Sequence, residues 1–157
     1  MTAIRPAPWP FEKERQDALK RRLASWARRE NGPWDEEPDA AVVEDGDVPI
    51  VLIRNGMYTW SGYVGLPPTD PLAGVELFCN DGVDAYDARG IGDATYANYS
   101  PERDAIVGLS GLWCVRFSCA HAFQLIPVHP PYSPCDEYWT IEMAADYAVK
   151  FATAATG

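Results

Sequence analysis

Apolar positions along the chain change period, and each change marks an element. Between Pro10 and Arg29, Phe11, Leu19, Leu23 and Trp26 fall near one face, with Ala18 and Ala27 beside them. That is the 3.6-residue period of an amphipathic helix. Pro10 suits a first helical turn, Arg28 and Arg29 complement the dipole of the last one, and Asn31-Gly32-Pro33 is a stop signal. Val48 to Arg54 is a short Val/Ile-rich run that predicts a strand. Asn55-Gly56 follows, and this pair best supplies the two positive φ angles of a type I′ turn. Beyond it the period becomes two: Met57, Thr59, Ser61 and Tyr63 alternate with Tyr58, Trp60, Gly62 and Val64. A β-hairpin turning at Asn55-Gly56 is the expectation.

Val75 to Cys79 and Ala94 to Tyr99 predict short strands, and Leu112 to Cys119 a better one. The last places Trp113, Val115, Phe117 and Cys119 on one face and Leu112, Cys114, Arg116 and Ser118 on the other. A closing helix is expected over Asp136–Ala155, where Trp139, Met143, Tyr147 and Phe151 recur every four residues and Ile141, Ala144 and Ala148 widen the stripe. Ser133-Pro134 would supply its cap and first turn. The stretches between elements read as loops: the acidic 33–47, with Trp34 its only large apolar residue; the rigid Gly65–Pro71; the Gly/Asp-rich Asp81–Asp93; and Ala120–Pro134. The fold class that results is α+β: an antiparallel sheet starting with the Asn55-Gly56 hairpin, packed by a C-terminal helix, plus an N-terminal helix. Three segments follow: a helix within 1–32 serving as lid or arm, a linker at 33–47, and a core domain at 48–157.

Composition supports one domain. A chain of 157 residues with 47% hydrophobic and 12% aromatic residues can bury a core without staples. No run approaches a transmembrane span, and Met1–Pro10 lacks a signal-peptide core, so a soluble, cytoplasmic protein without a membrane partner is expected. The four cysteines, Cys79, Cys114, Cys119 and Cys135, form no CxxC pair and read as reduced, buried small hydrophobes. Charge is segregated. Residues 1–29 hold eight Lys/Arg and three Asp/Glu (+5), whereas 30–157 hold five and 20 (−15). A body this acidic repels phosphate backbones, which disfavours general nucleic-acid binding.

Motifs that would name a chemistry are few. No G-x-S-x-G, Walker loop or G-x-G-x-x-G occurs, and Arg89-Gly90-Ile91-Gly92 is too short to define a phosphate cradle. The two histidines, His121 and His129, stand in no nucleophile turn. Asp81, Asp84, Asp87 and Asp93 do not have EF-hand spacing, so no metal site and no cofactor are assigned. Aromatics are more suggestive, because together with Arg54, Arg89, Arg103 or Arg116 they can stack a base and hold a phosphate. The competing reading makes those aromatics core and those arginines surface ion pairs.

Trp60-Ser61-Gly62-Tyr63-Val64-Gly65-Leu66-Pro67, Asp70-Pro71-Leu72, Thr95-Tyr96, Trp113 to Phe117 and Cys119-Ala120-His121 resemble a family of small proteins encoded by phages and prophages of actinobacteria. Those proteins carry W-x-G-Y-V-x-L-P-x-x-H-P, V-H-G-G-L-T-Y and W-x-G-F-D-C-A-H-x-x-D, then a C-terminal helix. Order and spacing agree over about residues 58–155. The resemblance implies a fold and a viral origin more than an activity. Asp70, Ser118 and Gln124 stand where the family has His, Asp and Asp, its second-motif histidine falls near Arg89 or Asp93, and only His121 is kept. A His/Asp cluster suits metal-assisted hydrolysis, and this chain has lost most of it.

The expectation is therefore an accessory protein that acts by binding a host protein or a small, anionic, nucleotide-like ligand, with counter-defence as the role. Its site would join Trp60, Tyr63 and Trp113 as stacking surfaces, Arg89 and Arg116 as charges, Tyr96 beside them, and Ser118 and His121 as hydrogen-bonding groups. Two alternatives stay open: a small hydrolase or phosphodiesterase using His121 as base or metal ligand, and an acidic interaction module without a pocket. A homo-oligomer is compatible with each.

Overall fold

The structure is a computed structural model, and it describes residues 3–7, 36–44, 46–54, 59–77, 82–92, 94–99, 109, 111–118 and 138–156. The helix expected over Pro10–Arg29, the Asn55-Gly56 turn, His121, His129 and the Ala120–Pro134 loop lie outside these residues. The architecture is α+β. Six strands, β1 (Ala3–Pro6), β2 (Ala40–Glu44), β3 (Ile50–Arg54), β4 (Trp60–Leu66), β5 (Tyr96–Tyr99) and β6 (Trp113–Ser118), form one sheet in the order β1-β2-β3-β4-β6-β5. Every neighbouring pair is antiparallel. A short helix α1 (Gly82–Ala88) follows β4, and the long helix α2 (Ile141–Thr156) closes the chain.

The β3–β4 hairpin forms, but not in the register that a two-residue turn at Asn55-Gly56 would impose. Such a turn sets Arg54 opposite Met57. Instead Arg54 faces Trp60, Leu52 faces Gly62 and Ile50 faces Val64. An offset of three residues is odd, so it exchanges which faces of the two strands coincide. The observed register aligns Ile50, Leu52 and Arg54 with Trp60, Gly62 and Val64, and so gathers the large apolar side chains on one face. Trp60 is wholly buried there, which is worth more than 2 kcal/mol or so. Burial, not turn chemistry, sets the register.

That face carries the main core. Ala41, Val43, Ile50, Leu52, Trp60, Val64, Leu66, Trp113, Val115 and Phe117 pack against α2, which lies across β3 and β4. The buried side of α2 is Ile141, Ala144, Ala145, Ala148, Phe151, Ala152 and Ala155, largely small residues that bring the helix close to the sheet. Of the stripe Trp139, Met143, Tyr147 and Phe151 expected to make this contact, only Phe151 is fully buried. Tyr147 is half-buried and meets Phe117 edge-on at 4.8 Å. Phe117 in turn lies across Gly62, where an added Cβ would come within 2.1 Å of Phe117 Cε1. Gly62 is thus a seat for an aromatic ring.

Four further expectations are corrected. The helix α2 begins at Ile141, not Asp136: Thr140 is its cap, its Oγ1 accepting the Met143 N–H at 3.3 Å. The stretch 75–77 is no strand. Instead the Val75 carbonyl accepts the Tyr86 hydroxyl at 2.9 Å. Within Asp81–Asp93, expected as loop, α1 forms because Tyr86 reaches the core. A Schellman motif ends it: Gly90 N–H to Asp87 O at 2.9 Å and Ile91 N–H to Tyr86 O at 3.1 Å, with Gly90 at φ +77°. Arg89-Gly90-Ile91 is therefore a helix terminator, and Ile91 and Tyr86 are both buried beneath it.

The last correction concerns 33–47. This stretch is no surface linker, for it contributes β2, while β1 lies in the segment read as an arm. Glu37 turns inward just before β2. Its Oε1 accepts Arg54 Nη2 at 3.2 Å and also the Tyr138 hydroxyl, and its Oε2 accepts the Ile141 N–H at the start of α2. Arg54 also donates to Tyr138 Oη. Its guanidinium stacks 4.2 Å above the Trp60 ring. The side chains of Arg54 and Glu37 are 0% and 8% exposed. A carboxylate at a helix N-terminus is favoured by the dipole, so one residue neutralises a buried cation and pins the closing helix.

Candidate functional site

The second face of the sheet is not the one α2 covers. Register places Arg5, Val42, Val51, Tyr63, Arg116 and Tyr96 in a single row across all six strands, and Ala40, Ile53, Ser61 and Ser118 in the next. Neighbouring strands lie about 4.8 Å apart, and the two rows about 7 Å apart along the strands. Apolar residues fill one side of this face: Val51, Ile53, Leu109 and Cys114 form a small second cluster against which Val42, Tyr63 and Leu112 pack. Its rim is built by Leu109, Gly111 and Leu112, where the Leu112 N–H bonds Leu109 O at 3.1 Å and Gly111 takes φ +76°. Leu109 and Leu112 press onto Gly65, whose added Cβ would come 2.9 Å and 2.7 Å from their side chains.

Polar groups begin where the apolar cluster ends. Arg116 is half-buried on β6, with Tyr63 and Tyr96 as its register partners on either side. Its guanidinium is aimed by Thr95: Arg116 Nε donates to Thr95 Oγ1 at 3.1 Å. Thr95 is itself clamped to the Arg116 backbone, donating its N–H to Arg116 O at 2.7 Å and its hydroxyl to the same oxygen at 3.3 Å. Ser61 and Ser118 face each other one pair further along. Ser61 is buried, the Thr95 hydroxyl proton is already donated to Arg116 O, and a guanidinium suits a carboxylate or phosphate in a planar, two-pronged contact.

Of the residues singled out in the sequence, the fold brings Tyr63, Arg116 and Ser118 to this face and sets Tyr96 at its margin as the register partner of Arg116. It separates the others. Trp60 and Trp113 lie on the helix-packed face, in the core. Trp113 donates its indole N–H to Tyr86 Oη at 2.9 Å, and burial raises the Tyr86 phenol above its ordinary pKa. Arg89 stands beyond the sheet, paired with Asp70 at 3.2 Å and donating to the Ala155 carbonyl at the end of α2. It caps that helix. Asp70, which stands at a motif histidine of the resembled family, also accepts the Leu72 N–H at 2.8 Å and so shapes the turn after β4. His121 lies outside the described residues.

One participant escaped sequence reasoning. Thr95 stands in the Thr95-Tyr96 motif, yet only the β5–β6 pairing shows that it holds Arg116. Arg54 is the arginine that does stack on aromatics, but it does so in the core with Glu37 as its counter-ion. A lone Arg ending an otherwise apolar strand was the available signal. Among the described residues no group of three or more His, Cys, Asp or Glu is placed to hold a metal ion, and no helix is long and apolar enough to cross a membrane. No family model matches the chain, and no curated protein or solved structure matches it.

Proposed function

We propose that this chain is a binding protein whose site is the sheet face opposite α2, and whose ligand is a small anion carrying a flat ring, of the nucleotide class. The observation that carries this reading is Arg116, held by Thr95 at its Nε and set between the register positions of Tyr63 and Tyr96. An oriented guanidinium takes an anionic group through charge-assisted hydrogen bonds, and an adjacent phenol ring offers a stacking surface. Arg116 and Tyr63 are groups suited to recognising an anion with a flat ring, which is the support for recognition over turnover. The biological role we attach to it, sequestration of a host nucleotide by a phage-type accessory protein in the cytoplasm, rests on the Trp60–Pro67 and Trp113–Phe117 motifs.

The test is calorimetric titration with the ribonucleoside 5′-mono- and triphosphates. Binding by the intact chain is expected, with Arg116→Met weakening it roughly 10- to 100-fold, the value of hydrogen bonds to a charged group. Tyr63→Ala should weaken it less and should also weaken binding of the uncharged nucleoside. If no nucleotide binds, or if Arg116→Met binds as the parent does, the reading is wrong.

A further inference from the structure

We draw no further inference here: the strongest candidate, the apolar cluster of Val51, Ile53, Leu109 and Cys114 on the sheet face opposite α2, carries nothing, because nothing among the described residues shows what covers it.

Discussion

Glu37→Gln is the most informative single change in this fold. The substitution keeps the shape of the side chain and removes its charge. In the parent, Oε1 receives Arg54 and Tyr138 while Oε2 receives the Ile141 N–H. A glutamine has one acceptor oxygen, so its amide NH2 must point at a donor whichever way it is placed. Arg54, 0% exposed, is left without its carboxylate. Breaking a buried ion pair from one side costs about 3–5 kcal/mol, because the remaining charge stays desolvated. For a chain of this length that corresponds to a fall in Tm of roughly 6–20 °C. Urea unfolding should show a lower midpoint with an unchanged m-value, since the surface exposed is the same. A double-mutant cycle adds the decisive number. With Arg54→Met as the second change, Glu37→Gln should cost far less, giving a coupling of about 2 kcal/mol or more. The reasoning is refuted if Glu37→Gln costs under about 1 kcal/mol, or if the two changes simply add.

Two other changes test the packing and the buried phenols. Gly62→Ala places a Cβ where Phe117 Cε1 would be 2.1 Å away; it should destabilise by about 1–3 kcal/mol by chemical denaturation, and Phe117→Leu in the same chain should recover part of that loss. Burial is the largest cause raising both Tyr86 and Tyr138 above the ordinary value near 10, with Arg54 opposing it at Tyr138 and the Trp113 hydrogen bond opposing it at Tyr86. The folded state therefore holds phenol protons that the unfolded chain releases, so stability is fully present below about pH 10 and falls as pH rises above it. Urea midpoints at pH 8 and pH 10.5 should show that fall, and Tyr138→Phe should flatten it; a flat profile in the parent counts against the burial of these rings.

Strand and helix identities were legible wherever the period was strong. The alternation in β6 put Trp113, Val115 and Phe117 on the face they occupy, and Arg116 and Ser118 on the other. The parity of β4 was equally clear, and so was the presence of α2. Weak patterns hid the rest. Ala40–Glu44 is five residues inside an acidic stretch, and Ala3–Pro6 is four residues at a sheet edge, too short for periodicity to register. The helix α1 has no amphipathic run of its own and exists because Tyr86 and Ile91 find the core.

Tertiary structure alone decided which neighbours those residues would meet. Asn55-Gly56 argues for one hairpin register, and the buried row of Trp60, Leu52 and Val64 imposes another, because burying large side chains outweighs a local turn preference. Trp60 and Trp113 looked like ligand-stacking residues, yet their parity sends them into the main core. Arg54, Arg89 and Arg116 are indistinguishable as letters. One is a core cation held by Glu37, one caps a helix, and one is aimed by Thr95 across a sheet face, since charge takes its role from the groups that solvate it. The amino-acid pattern by itself determined the α+β class and the sidedness of its best strands; pairing register and the partners of three arginines needed the fold, because both depend on contacts between residues far apart in the chain.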